Sequence, residues 1–230
     1  MPLLSSFAAQ PHALIVGAGG GLGRALADLL EGDGARVTRW SRSTGVDPAD
    51  PASIAAAITA LPAPPDLAII TNGVLHGPGL APEKANSQLD AATLAQLLAI
   101  NTIQPATIAA RLLPIMPKGR KTVLAVLSAR VGSIADNRLG GWHSYRASKA
   151  ALNQLIRTMA IEQARRSPDQ ILLALHPGTV DTGLSRPFQS GVKTLFSAHE
   201  SARHLIGVID AATPAQSGLL IDWQGQVIPF

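Results

Sequence analysis

The 230 residues carry 19 basic against 15 acidic side chains, a formal charge of +4, with 47% hydrophobic and 15% charged residues and no cysteine. That much core material excludes global disorder, no apolar run reaches the ~18–20 residues of a membrane span, and the lack of cysteine excludes disulfides, thiolate nucleophiles and cysteine-based metal sites. The basic residues are scattered, so the isoelectric point of about 10.0 does not read as a nucleic-acid surface, although it suits an anionic ligand.

No Lys or Arg precedes the first apolar run, and Ala13-Leu14-Ile15-Val16 leads straight into glycines. This predicts a first core strand rather than a signal peptide, and a cytoplasmic protein. Strands are predicted at 13–16, 36–40, 67–70, 122–127, 171–175 and 219–221, and helices at 22–31, 51–60, 89–116, 144–165 and 199–211. The near-continuous apolar strands predict burial on both faces, and their alternation with helices predicts a parallel sheet with right-handed crossovers. The length suits one doubly wound α/β domain. Ala60-Leu61-Pro62-Ala63-Pro64-Pro65 is too short for a linker and reads as a helix stop. Two turn-rich stretches, 73–82 and 177–197, follow strand ends, where open α/β sheets place ligands.

After the first strand comes Gly17-Ala18-Gly19-Gly20-Gly21-Leu22-Gly23, then the helical Arg24-Ala25-Leu26-Ala27. Glycines let backbone approach a pyrophosphate, whose charge faces the amino end of a helix. In this strand-loop-helix setting, dinucleotide binding is a stronger reading than an ordinary turn. The second strand ends Val37-Thr38-Arg39-Trp40-Ser41-Arg42, without the acidic residue that would hold an adenosine ribose. Ser41 and Arg42 suit a 2′-phosphate, favouring NADP with NAD possible; two solvated polar residues are the alternative. Further along, Tyr145 and Lys149 stand four residues apart, on one face if the stretch is helical. A lysine cation beside a phenol favours its phenolate and brings proton exchange closer to working pH.

Gly17, Gly21 and Gly23, followed by Tyr145-Arg146-Ala147-Ser148-Lys149, resemble the short-chain dehydrogenase/reductase family, with Val16 where threonine is common. The resemblance runs from Gly17 to the carboxyl end and implies a single-domain, Rossmann-like doubly wound parallel sheet flanked by helices. More narrowly, Ser128-Ala129-Arg130-Val131-Gly132-Ser133-Ile134, Asp136-Asn137-Arg138 and Asp222-Trp223 resemble its C-factor-like branch. By this resemblance Tyr145 donates the proton, Lys149 also holds the nicotinamide ribose, and Asn101 holds a water on the proton relay. Asn101 is equally readable as a helix-distorting residue bonded internally, and such a distortion admits water. Asp47 matches an acidic residue beside the adenine, with a turn or cap as the alternative. Asn72 and Gly73 stand where a turn closes the cofactor pocket, although only Gly73 matches by position. Pro177, Gly178, Val180 and Thr182 match a motif beside the nicotinamide carboxamide; a tight turn is compatible with that role.

The slot that usually carries a carbonyl-binding serine holds Ala129. Ser128, at a strand end where a bulge could re-aim it, is taken for that role, with Ser133 as fallback. Residues 81–90 and 182–198 are expected to border the substrate pocket, the second as a lid. Leu184, Pro187, Phe188, Leu195 and Phe196 supply its apolar contacts. His76 and His143 are given no catalysis, and no metal site is expected. The expected activity is NADPH-dependent reduction of a ketone or aldehyde, or the reverse alcohol oxidation, on a small-molecule carbonyl or alcohol. Neither a nucleic-acid nor a membrane partner is expected. The resemblance implies a homodimer or homotetramer through the helices containing Asn101 and Tyr145. A cofactor-binding signalling or scaffold protein with little turnover is the alternative.

Overall fold

The computed structural model describes residues 2–192 and 194–230, so Lys193, inside the expected lid, lies outside the described residues. In chain order the elements are β1 (His12–Val16), α1 (Gly21–Gly32), β2 (Arg36–Trp40), α2 (Pro51–Thr59), β3 (Leu67–Ile70), α3 (Ala91–Leu98) and α4 (Gln104–Leu112). There follow β4 (Thr122–Leu127), α5 (His143–Ala164), β5 (Gln170–His176), β6 (Thr179–Val180), β7 (Leu195–Phe196), α6 (Ala198–Ala211), β8 (Leu219–Asp222) and β9 (Val227–Ile228). One seven-stranded sheet runs β2-β1-β3-β4-β5-β8-β9, parallel except for the last pair.

The two faces of the sheet follow from the period of two along each strand. Leu14, Ala68, Leu124 and Leu172 stand in register across four strands and pack on one side with Ile108, Leu112, Leu152 and Ile156. Ile15, Ile69, Ala125 and Leu173 face the other side, against Leu26, Leu30, Leu205 and Ile206. Strand β2 departs from the expected burial: Arg36 is exposed and Val37 to Arg39 are half-buried, because it forms one edge of the sheet. The short β6–β7 pair and β9 were beyond a pattern reading, since two residues carry no periodicity.

The single helix expected over 89–116 is broken. It begins after Asp90, whose carboxylate caps Thr93 N at 2.8 Å, passes through a π-helical stretch at Ala99–Ile103, and ends before Pro114. Pro105 has no N–H to bond to the carbonyl of Asn101, which removes an α-helical bond where the wider turn occurs.

From β1 the chain moves to one side of the sheet, to β2, and then returns to the other side, to β3. The loops after β1 and β3 therefore diverge at the carboxyl ends of the strands and open a crevice there.

Candidate active site

Gly17 leaves β1 with φ +86°, and a Cβ there would stand 2.4 Å from Thr71 Oγ1. A Cβ on Gly23 would stand 2.3 Å from the Gly17 carbonyl oxygen, so the strand-helix turn closes only around bare backbone. Helix α1 starts after Gly20 with no side-chain cap and no acidic residue in its first turn, leaving its amino end open to an anion.

Two adjoining cavities cover this end of the sheet. The first, about 580 Å³, is lined by Gly17, Gly19, Gly20, Ser41, Arg42, Asp47, Asn72 and Gly73, among others. The second, about 630 Å³, includes Gly20, Gly21, Leu22, Gly23, Asn72, Gly73, Ser128, Tyr145, Lys149, Pro177, Gly178, Val180 and Thr182. Gly20, Thr71, Asn72 and Gly73 border both, so the two form one crevice. Asn72 Oδ1 is buried there without a partner among the described residues, while its Nδ2 reaches Gln104 Oε1 at 3.4 Å. Bare glycine backbone, an open helix terminus and an unpaired acceptor fit a dinucleotide.

The other basic side chain near the second strand's end is committed elsewhere, as Arg39 pairs with Asp28 at 2.6 Å and Glu31 at 2.7 Å. Arg42 is exposed and makes no ion pair among the described residues. Ser41 Oγ meets Ser43 Oγ at 2.8 Å. Asp47 Oδ1 accepts the Ala49 N–H at 2.9 Å, which is the expected turn, while the residue also lines the cavity.

Helix α5 presents Tyr145 and Lys149, both buried. Lys149 Nζ lies 5.9 Å from the Tyr145 ring centre and donates to the Leu127 carbonyl at 2.9 Å. Burial pushes the Tyr145 phenol up to about 12 and the Lys149 ammonium down to about 8. Burial is the whole cause of the Tyr145 shift, so in the protein alone the lysine does not draw the phenol downward. Among the described residues the Tyr145 hydroxyl has no hydrogen-bond partner. His176, also lining the crevice, is held neutral: burial, then Arg130, lower its pKa to about 4 against the pull of Asp222.

Asn101, within the π-helical stretch, spends both ends of its amide on Val74: Oδ1 accepts from N at 2.8 Å and Nδ2 donates to O at 2.9 Å. Nδ2 also lies 3.2 Å from Ser148 Oγ. Its side chain therefore braces the loop after β3 and does not line either cavity.

Ser128 borders the crevice, but its hydroxyl donates to Asn153 Oδ1 at 2.6 Å, in the buried space behind the strand end. Ser133 Oγ accepts the Asp136 N–H at 3.0 Å and the residue does not line the crevice. The bulge expected to re-aim Ser128 is absent from this strand end, where ordinary alternation places Ala129 on the face that packs with Tyr145, Leu75, Leu80 and Leu97.

Leu184 and Phe188 line the crevice as expected, whereas Pro187 and Leu195 do not, and Phe196 packs at 4.6 Å on Trp223 instead. None of residues 81–90 lines it. Glu83 has a different task, invisible to spacing because its partner lies 61 residues away. Its buried carboxylate accepts the Ser144 N–H at 3.3 Å and the Ser144 hydroxyl, and its carbonyl accepts Trp142 N at 2.6 Å. Trp142, in the left-handed region at φ +53°, gives α5 no side-chain cap, so Glu83 supplies the anion at the start of the helix that carries Tyr145. Burial alone would raise the Glu83 pKa, but the Ser144 bonds outweigh it and the net shift is downward. Glu83→Gln should therefore cost roughly 1–3 kcal/mol in denaturant titrations at neutral pH. A carboxylate with a lowered pKa stabilises the fold above its unfolded pKa and loses that contribution as pH falls. The difference between wild type and variant should accordingly shrink through the acid carboxylate range.

Trp142 was also missed by motif reading. It stands edge-to-face with Tyr145 at 6.2 Å and with Phe188 at 5.1 Å, and Phe188 in turn meets His76 at 5.6 Å. His76 Nε2 lies 3.0 Å from the Gly183 carbonyl, tying the loop after β3 to the segment that covers the crevice. Among the described residues no group of three or more histidine, cysteine or acidic side chains is arranged to hold a metal ion. Nor is any helix among them long and apolar enough to cross a membrane.

Residues 46–193 match the family described as short chain dehydrogenase. C-signal of Myxococcus xanthus is 34% identical over 146 residues, which are 64% of this chain and 84% of that protein. The 1-hydroxy-2-glutathionyl-2-methyl-3-butene dehydrogenase of Rhodococcus sp. (strain AD45) is 32% identical over 147 residues, 64% of this chain and 63% of that protein. Among solved structures, the NADPH-bound carbonyl reductase from chicken fatty liver superposes with a TM-score of 0.82 at 22% identity, covering 97% of this chain and 100% of that one.

Proposed function

The chain belongs to the short-chain dehydrogenase family, in the branch of C-signal, and is an NAD(P)-dependent oxidoreductase; from that premise we propose that it reduces a ketone or aldehyde with NADPH, Tyr145 donating the proton. The observation that carries this reading is Tyr145: its ring is buried, its hydroxyl is unpaired among the described residues, and the residue borders the same crevice as the glycine turn, backed by Lys149. A bound nicotinamide supplies the hydride. The chain supplies position and a proton. Gly17, Gly19, Gly20, Gly21, Leu22 and Gly23 receive the pyrophosphate at the amino end of α1, and Ser41 and Arg42 receive the 2′-phosphate. Asp47 borders the adenine, and Asn72 and Gly73 close the pocket between the two halves of the ligand. Lys149 turns from the Leu127 carbonyl toward the ribose, while Pro177, Gly178, Val180 and Thr182 face the carboxamide. Asn101 acts as a positioning residue, holding Val74 and hence the loop beside Lys149. Residues 182–198 serve as the lid of a one-domain protein.

The choice of phosphate over free ribose rests on Arg42, the uncommitted cation on the cavity wall. In Arg42→Ala, the dissociation constant for NADPH should rise by ~10–150-fold, the loss of one charge-assisted bond, while that for NADH changes little. Ser41→Asp should shift preference toward NADH by repelling the phosphate. Equal losses for both cofactors in calorimetric titrations overturn the NADP assignment.

Self-association through the helices that carry Asn101 and Tyr145 is part of this reading, supported by the exposed apolar side chains of Ile103, Leu155 and Ile161 on them. We place the protein in the cytoplasm, where reduced nicotinamide is supplied. A second reading, a cofactor-binding signalling or scaffold protein with little turnover, is favoured by one observation: the Ser128 hydroxyl is spent on Asn153. A panel of carbonyls followed at the nicotinamide absorbance separates the two. Turnover abolished in Tyr145→Phe supports the enzyme; tight NADPH binding with a silent panel supports the second reading.

A further inference from the structure

The groups around the Tyr145 hydroxyl restrict what it can protonate. The wall beside it is built from Leu75, Ala129, Val131, Trp142, Leu184 and Phe188. Among the described residues, the charged side chain on this crevice apart from Lys149 is Arg130, and its guanidinium is shared between Asp136 at 3.0 Å and Asp222 at 3.1 Å. Among the described residues a substrate carboxylate or phosphate would meet no free cation on the apolar side, and burying it there unpaired is costly. Trp142 and Phe188 stand edge-to-face at 5.1 Å and 65°, a geometry that leaves ring edges and faces for a flat aromatic group.

The second restriction is the number of donors. Ser128 Oγ donates to Asn153, Ser185 Oγ donates to the Val180 carbonyl, and Ser133, which accepts the Asp136 N–H, does not line the crevice. Ala129, whose side chain is a methyl, packs against the cluster that contains Tyr145. The other hydroxyls on the crevice belong to Thr71, which donates to the Val16 carbonyl, and to Thr179 and Thr182, which are not part of the apolar wall. On that wall a carbonyl oxygen meets Tyr145 as its hydroxyl donor among the described residues. A missing oxyanion donor costs turnover on the order of 10²–10³-fold, and the loss is least where the carbonyl carbon is already electron-poor and the developing charge is shared with the substrate.

Resting on the oxidoreductase reading, we propose that the substrate is an uncharged, electron-poor aryl ketone or aryl aldehyde, its ring against Trp142 and Phe188 and its oxygen on Tyr145 alone. In the step, the carbonyl carbon gains a hydride and the oxygen gains the Tyr145 proton. The C=O π bond is replaced by one C–H and one O–H bond, two electrons pass from the reduced nicotinamide, and Tyr145 regains its proton from solvent.

The test uses the full chain, saturating NADPH and para-substituted acetophenones from methoxy to nitro, with pyruvate and cyclohexanone as charged and aliphatic comparators. The expected result is turnover confined to the aryl series and rising at least ~10-fold from methoxy to nitro, with Ala129→Ser raising the methoxy compound most, by ~10-fold or more, and flattening the series. A readout independent of turnover is acetophenone binding without nicotinamide, followed by tryptophan fluorescence. It should weaken about 10-fold in Phe188→Ala, an aromatic contact's worth, and pyruvate should give no saturable change. Turnover of pyruvate or cyclohexanone at the aryl rate, or a flat substituent series, overturns the substrate class and leaves the oxidoreductase reading standing. A panel silent for every carbonyl overturns that reading and this proposal with it.

Discussion

Tyr145→Phe is expected to fold, to bind NADPH as the wild type does, and to lose turnover by at least ~10²-fold, the usual contribution of a positioned acid. The ring is what the fold uses: it packs with Leu75, Leu80 and Leu97 and meets Trp142 at 6.2 Å, and phenylalanine keeps all of that. The hydroxyl has no partner among the described residues, so removing it breaks no hydrogen bond and should leave the denaturation midpoint unchanged. Direction and pH follow from the phenol's pKa, pushed up to about 12 by burial. Its acid form is present across the neutral range, so carbonyl reduction should show no limb due to Tyr145 between pH 6 and 9. Alcohol oxidation needs the phenolate and should rise with pH across the same interval. Near-normal turnover in the phenylalanine variant would remove Tyr145 from the chemistry.

The six predicted strands were legible because each is short and bounded by turns and five of them are apolar, and the structure moves their bounds by a residue at most. The glycine turn was legible for a related reason: its chemistry is local, carried by backbone that only glycine permits at Gly17 and Gly23. What escaped was non-local or directional. Glu83 and Ser144 lie 61 residues apart, and a lone glutamate in a loop has no spacing to announce it. Trp142 follows two glycines at a helix start, where nothing in composition says that its ring will join Tyr145 to Phe188. The apolar residues of segment 182–198 look alike in sequence, yet Phe188 faces the crevice and Phe196 faces Trp223. Ser128 shows the cost of counting hydroxyls without direction: the residue borders the crevice, and its hydroxyl points behind the strand to Asn153. Asn101 is the intermediate case, since the sequence reading foresaw a distorted helix there but not that Val74 would take both ends of its amide.

Lys149→Met should damage two separable quantities, NADPH affinity and turnover, because one ammonium serves the ribose and the phenol. Turnover should fall by at least ~10²-fold, as for loss of an acid–base partner. The affinity loss carries a signature that a merely structural lysine would not produce. Burial lowers the ammonium's pKa to about 8, so in the free protein the charge is present below that pH and disappears above it, well before an exposed lysine at about 10.4 would titrate. A ligand that hydrogen-bonds to the charged form must raise that pKa on binding. NADPH affinity should then fall as pH rises through about 8 in the wild type, and this step should be missing in the methionine variant. The same lowered pKa has the opposite sign for folding. The buried charge costs stability below about pH 8 and the cost is relieved as pH rises toward the unfolded value, so Lys149→Met should be no less stable than wild type at pH 6 even while it binds NADPH worse. Calorimetric titrations at pH 6 and pH 9, with denaturant melts of the free proteins at the same two values, measure the four numbers for each protein. If the methionine variant unfolds more easily at pH 6 and keeps the wild-type pH dependence of binding, Lys149 is a packing residue of α5 and the proton must reach Tyr145 another way.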